Sequence, residues 1–415
     1  MSPFPRMAVR NVARNRRRSL ITLSAVLLGV TAVVTTRGIT DGFMRLMVDD
    51  VVKGRTGALQ IHPTGYMASV EALPLEPSLP YDEALLARIE AVPGVAGVSG
   101  RLTFSGLVSN GVAQTTFVGR GLDPAREKRA VPRFGFEVRA GGRVLAPGDH
   151  AQALLGSELA RSFRAVPTRQ MTEGMVDRVT LAASSPKGQA NSMDVAVEGL
   201  TESTLPFENK RVVAVPLKLA QELLGMDGRV TELVVAVKDL GDLEEVAAQL
   251  RVALGPAYEV HTWQELQPFV RDVIQRQRFI LGVISAILFV IILTGIINTM
   301  LMSVFERVRE IGTMLAVGVK RRQVLRLFLL EAMVLGVVGG VGGVALGAAI
   351  VSFLGAKGIP VENLGTSGTT FVRPELDLLF VGMAFAVAVM GAVLAAAWPA
   401  WKASQLNPVD ALRSN

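Results

Sequence analysis

The chain has 415 residues, half of them hydrophobic and 19% charged, with no cysteine and a formal net charge of +7. Mean hydropathy is +0.40, and the charged fraction falls below the ~25% usual in soluble domains, which points to a bilayer. The missing cysteines exclude disulfides, zinc–thiolate centres, thiol catalysis and iron–sulfur clusters; His62, His150 and His261 lack ligand spacing, so no bound metal is expected.

Residues 1–19 form a basic N-terminal segment, with six arginines and no acid in the first 18. The run RNRRRS abuts an apolar stretch, so it reads as a topology signal rather than a nucleic-acid patch. Ser19–Thr36 is free of charge and predicts a first spanning helix over 20–36. Thr-Thr-Arg-Gly follows instead of a small-residue cleavage site, so the segment reads as a retained anchor.

Residues 37–277 are polar and predict a folded outer domain. Short β-branched runs, such as 58–63, 114–122 and 232–239, alternate with amphipathic helices at 81–92 and 242–250. Two strand–helix units imply an α+β domain with ferredoxin-like pieces. Pro63, Pro74, Pro77 and Pro80 mark an exposed loop. Phe43, Met44, Met47 and Val51 share one helical face, as do Leu266, Phe269, Val270, Val273 and Ile274. Either the membrane helices continue outward and pair as a stalk, or these are two helices on the membrane surface.

Three further spans are predicted at 278–303, 325–354 and 377–400, from apolar stretches Phe279–Phe305, Leu327–Ala356 and Leu378–Trp401. Only Glu331 interrupts them, placed to reach the interface or meet Arg326. The segment 304–324 is basic, 355–376 is a short outer loop, and 401–415 is a tail. The positive-inside rule therefore puts both termini and the 304–324 segment in the cytoplasm. The fold expected is an α-helical membrane protein with four transmembrane helices and a large α+β domain inserted between helices 1 and 2.

Catalytic machinery is missing. No G-x-x-x-x-G-K-[ST] loop, G-x-S-x-G elbow or H-E-x-x-H occurs, and no paired carboxylates lie in the spans. No catalytic residue and no cofactor are expected in this chain. In the third span Gly336, Gly339, Gly340, Gly343 and Gly347 give overlapping small-xxx-small spacings, which implies close packing on a neighbour in this chain or another.

Four segments resemble one family. ERVREIGTMLAVGVKRRQV (306–324) resembles the E-R-x-x-E-I-G-x-x-x-A-x-G signature of the permeases that include MacB, LolC, LolE and FtsX. LFLLEAMVLGVVGGVGGVALG (327–347), WPAWKASQLNPVDALR (398–413) and MAVRNVARNRRRSLITLSAVLLGV (7–30) resemble the third helix, the ending and the opening of those proteins. The resemblance implies a bacterial inner-membrane subunit with a periplasmic outer domain. It also implies a dimer, of identical or related permease chains, driven by a cytoplasmic ABC ATPase dimer that carries ATP and magnesium. Its coupling helix would dock on that ATPase through Glu306, Arg307, Arg309, Glu310 and Gly312. Gly312 and Gly318 are expected to end or bend the turn.

GITDGFMRLMVDDVVKGRTGALQIHP (38–63) is similar to the lipoprotein-releasing permeases, with a G-F motif past helix one and a G-x-x-x-I strand. That similarity implies extraction of lipoproteins towards a periplasmic carrier. The acyl chains would enter the space between helices one and two of the paired permeases, lined by Leu27, Val30, Ile284 and Phe289, although each is equally readable as a core or lipid-facing residue. The alternatives are a MacB-like efflux or peptide-export permease with a periplasmic adaptor and outer-membrane channel, and an FtsX-like scaffold gated by its ATPase.

Overall fold

A computed structural model of the chain describes Arg10 and residues 16–133, 138, 141–203, 206–362 and 369–406. Most of the basic N-terminal segment, residues 363–368 of the short loop and the ending motif beyond Leu406 lie outside the described residues. Two compact units emerge, one of Met1–Arg45, Val273–Val361 and Phe371–Asn415, the other of Leu46–Asp272 and Glu362–Thr370.

The first helix, α1, runs Arg16–Val51, well past its apolar stretch, so the amphipathic segment after residue 36 is the same helix continued. Its apolar face is only partly covered: Met44 and Val51 are buried, while Phe43 is 40% exposed.

The second unit is built on nine strands: β1 (Leu59–Pro63), β2 (Val95–Ser109), β3 (Gln114–Leu122), β4 (Gln152–Gly156), β5 (Arg178–Ser184), β6 (Ala190–Thr201), β7 (Val212–Pro216), β8 (Glu232–Val237) and β9 (Tyr258–Thr262). They pair in the order β9-β1-β8-β2-β3-β7-β4-β6-β5. Helix α2 (Glu83–Glu90) starts where Asp82 accepts a hydrogen bond from the Leu85 amide at 2.8 Å, and it buries Leu85, Leu86 and Ile89. Helix α3 (Pro124–Ala130) is capped by Asp123, and α4 (Leu243–Leu254) buries Val246, Ala247 and Leu250.

β1 lies antiparallel between β8 and β9, and β8 lies antiparallel between β1 and β2. Both predicted strand–helix units are thus split, each admitting a strand from the other, which is the ferredoxin-like arrangement. The remaining strands do something the residue pattern does not foretell. β2 pairs with β8 through its first half and with β3 through its second, and its last three residues also pair with β5. The path β2-β3-β7-β4-β6-β5 and back to β2 closes into a ring of six strands. Closure removes open edges, which an exposed sheet must otherwise protect.

The proline-marked loop is corrected in part. Pro63 ends β1 and is buried, Met67–Ala72 forms a 3₁₀ turn, and Leu79–Pro80 pairs with Arg229–Val230.

The membrane-type unit contains α5 (Pro268–Glu306) from Val273 onward, α6 (Val308–Ala316), α7 (Arg321–Lys357) and α8 (Leu378–Ser404). With α1, the helices α5, α7 and α8 are long and apolar enough to cross a membrane. α5 also extends outward in one piece, although on its amphipathic face Ile274 is buried and Phe269 is 74% exposed. Of the four long helices α7 is the most enclosed and α5 the least. The short outer loop holds a structure not anticipated, strands β10 (Ile359–Glu362) and β11 (Thr369–Val372) paired with each other.

Candidate functional site

Helix α7 is enclosed because it lacks side chains where others need room. Gly339, Gly343 and Gly347 recur every four residues and face α1: a Cβ on each would stand 2.9 Å from Val26, 2.7 Å from Val30 and 2.9 Å from Val34. Thr31 adds a hydrogen bond, its hydroxyl donating to the Gly343 carbonyl at 3.1 Å. Gly336 and Gly340 lie on another face, where a Cβ would meet Ala392 at 2.8 Å and Phe385 at 3.1 Å on α8. The small-residue stripe therefore packs on two neighbours of the same chain. Such spacing suits a bilayer, where backbones gain by close approach rather than by expelling water.

Within a single chain, each of the four residues expected to line a substrate cavity between paired permeases has its own surroundings. Val30 is buried in the Gly343 groove, and Leu27 lies against Gly342 and Gly343. Phe289 fills the space beside Gly391, while Ile284 is 43% exposed. Leu27, Val30 and Phe289 thus make packing contacts within the chain. A recess that the sequence reading missed does exist, with a volume of about 210 Å³, lined by Ile39, Thr40, Phe43, Gln277, Ile359, Val361 and Val372. Three of its walls come from the β10–β11 pair, whose four-residue strands are too short to announce themselves by alternation.

The turn after α5 carries the mixed-charge motif. Helix α5 stops at Glu306 because Arg307 leaves the helical region (φ −114°, ψ 16°), and α6 begins at Val308. Glu306, Arg309 and Glu310 are exposed on this turn, whereas Arg307 is only 8% exposed and Gly312 is buried. Gly312 lies inside α6 and does not end it; Gly318, at φ +97°, makes the turn that follows. Ile311 anchors α6 in an apolar cluster with Val304, Val324, Phe328, Ala400 and Ala403.

The Arg307 guanidinium turns inward. Its Nε donates to Glu310 Oε2 at 3.1 Å, and its Nη1 reaches Glu331 Oε2 at 3.4 Å. Glu331, 3% exposed on α7, is thus paired with Arg307 rather than with the expected Arg326. The five predicted coupling residues therefore divide: Glu306 and Arg309 are presented outward, Glu310 is exposed but tied to Arg307, and Arg307 and Gly312 are built into the fold.

In the second unit several buried charged groups are also paired. Arg101 binds Glu127, which accepts from the Ser99 hydroxyl at 2.7 Å. Burial works to raise the Glu208 carboxyl, but Arg120, Arg55 and the Ser203 hydroxyl outweigh it and hold it below the usual range. His62 is pushed below 6.5 chiefly by burial. Among the described residues no group of three or more His, Cys, Asp or Glu is placed to hold a metal.

Comparison with known proteins matches two family models: an FtsX-like permease C-terminal unit at residues 282–408 and a MacB-like periplasmic core domain at residues 19–253. A macrolide export ATP-binding/permease protein MacB of Sodalis glossinidius is 27% identical over 98% of this chain, which spans 60% of that relative's length. An uncharacterized ABC transporter permease of Methanocaldococcus jannaschii is 23% identical over 98% of this chain and 96% of its own. The crystal structure of the periplasmic region of MacB from Actinobacillus actinomycetemcomitans aligns with 53% of this chain and 94% of its own, at 10% identity and a TM-score of 0.36. With the periplasmic core model alone covering more than half of its residues, the chain belongs to the MacB/FtsX superfamily and is an ABC transporter permease of that type.

Proposed function

We propose that this chain is the membrane subunit of a MacB-type exporter, driven by an ABC ATPase lying outside these 415 residues. The turn from Glu306 to Ala316 faces the cytoplasm and docks on the ATPase through Glu306, Arg309 and Glu310. Two copies of the permease assemble with two ATPase domains. The outward extensions of α1 and α5 carry the nucleotide-driven movement to the periplasmic domain, which acts with an adaptor on substrate already outside the cytoplasm.

The observation that carries this reading is the pairing of a periplasmic core match with relatives named for macrolide export along 98% of the chain. Support for lipoprotein release is correspondingly weaker, because the motif behind it has a packing explanation. A Cβ on Gly42, the first residue of the G-F pair, would stand 2.5 Å from the Arg373 carbonyl oxygen, so glycine is demanded there by the fold. Gly57 similarly adopts φ +72° ahead of β1.

Affinity purification of the tagged chain in mild detergent, with mass spectrometry of proteins and lipids, tests the proposal. An ATPase together with a periplasmic adaptor is the expected result. Triacylated lipoproteins with a second related permease would return the assignment to lipoprotein release, and the absence of any ATPase would overturn both. Replacing Glu306 and Glu310 together by alanine should leave membrane insertion intact while abolishing export.

A further inference from the structure

We propose that Arg307 and Glu331 act as a positioning pair that fixes the docking helix α6 to α7 and passes its displacement into the glycine-lined interior. The inference deepens the coupling reading above and rests on it. An arginine at the basic end of a spanning helix ordinarily extends its head to water. Arg307 does the opposite, with 8% of its surface exposed at the point where α5 breaks. One guanidinium joins three elements: the end of α5 by its own backbone, the first turn of α6 through Glu310, and α7 through Glu331.

The depth of Glu331 makes the pairing consequential. It lies four residues past Leu327, where the apolar stretch of α7 begins, or roughly 6 Å along the axis at 1.5 Å per residue, and is 3% exposed. A carboxylate there is costly unless it meets a cation, so its charge is held for its partner rather than for an ion in transit.

The apolar seat of α6 cannot supply direction alone. Ile311 among Val304, Val324 and Phe328 holds the helix down, yet hydrophobic contact is non-directional and tolerates rolling or sliding. The guanidinium fork is planar and rigid and fixes an angle. A push on the exposed Glu306 and Arg309 face is thereby delivered to α7. From α7 it continues to α1, because Gly339, Gly343 and Gly347 leave no slack against Val26, Val30 and Val34.

The chain has no cysteine, so paired spin labels can be placed at will. Labels at Thr313 on α6 and Met333 on α7, in the full chain in lipid nanodiscs, should give one narrow distance distribution. Glu331→Gln, which keeps the shape and removes the charge, should broaden it, and Glu331→Asp should narrow it again. Arg307→Lys keeps the charge and loses the fork, so it should broaden the distribution in a chain whose buried charge is still compensated.

With the co-purified ATPase, Glu331→Gln should retain ATPase binding and hydrolysis while export falls about tenfold, a typical coupling factor. An unchanged width in both Glu331→Gln and Arg307→Lys overturns the pair's positioning role. Broadening with export unchanged overturns the transmission role. Failure of the unsubstituted chain to bind any ATPase strikes the proposed function instead, and the label widths still decide whether the pair fixes α6.

Discussion

The two units of this chain differ in what fills their interiors. In the membrane-type unit the closest contacts come from deleting side chains, with glycines of α7 receiving Val26, Val30 and Val34 of α1. In the sheet unit large apolar side chains such as Phe104, Phe117, Leu154 and Ile61 fill the core, Gly100 and Gly119 admit the rings of Tyr81 and Phe104, and the buried carboxylates Glu127 and Glu208 meet Arg101 and Arg120. The difference follows from the solvent. Water drives apolar side chains inward and leaves polar pairs to specify register, whereas lipid provides no such drive and rewards close backbone approach.

The sharpest way to break the sheet unit is therefore through charge. Arg101→Ala leaves Glu127 buried without its cation, and the expected cost is about 3–5 kcal/mol. Hydrogen exchange on the intact chain should show protection lost across Val95–Leu122. The membrane-type unit should instead fail through volume. Gly343→Ala places a Cβ 2.7 Å from both the Leu27 carbonyl oxygen and Val30, and overpacking of this kind costs about 1–3 kcal/mol. Loss of monodisperse protein in size-exclusion chromatography is the readout.

A smaller effect separates the units by pH. His62 is 1% exposed, stacks on Tyr66 with ring centroids 4.8 Å apart, and faces Glu232, Glu259 and His261. Burial lowers its folded pKa below 6.5, so the unfolded chain binds more protons in that range. Stability of the sheet unit should fall as pH drops below 6.5, by up to about 1.4 kcal/mol per pH unit for one proton. His62→Phe, which keeps the stacking, should flatten that slope in thermal melts of the full chain. Smallest of all is Gly295→Ala: a Cβ there meets nothing within 4 Å, so folded yield should not drop, and helix propensity favours alanine by up to about 1 kcal/mol.

How far the residues alone reach differs between the units for the same physical reason. Apolar length is a local property, so the four long helices and the outer domain between the first two are readable directly. Each strand–helix unit is also local, since 232–237, 243–254 and 258–262 follow one another as strand, helix and strand, but the insertion of β1 between β8 and β9 is not. The six-strand ring is not, because β2 meets β5 through Leu107 opposite Ala182, a pairing across 75 residues that no periodicity records. At the coupling turn the residue types are readable but their directions are not. Glu331 has Arg326 one turn away in sequence, yet the helix break at Arg307 swings a residue 24 positions distant into its reach. The glycines fall between these cases: spacing by four separates 339, 343 and 347 from 336 and 340, but only the structure says that α1 and α8 are what they meet.

The position of β1 sets a schedule for synthesis. Both of its sheet neighbours, β8 and β9, are encoded downstream of the whole ring of six strands. Roughly 170 residues separate β1 from β8, which at about 5–20 residues per second means a wait on the order of ten to thirty seconds. Through that interval β1 carries unpaired backbone groups on both sides, with Leu59 and Ile61 awaiting their core. The nascent outer domain thus has a built-in window of vulnerability during biogenesis, in which a holdase or slow export matters more than the final stability of the sheet.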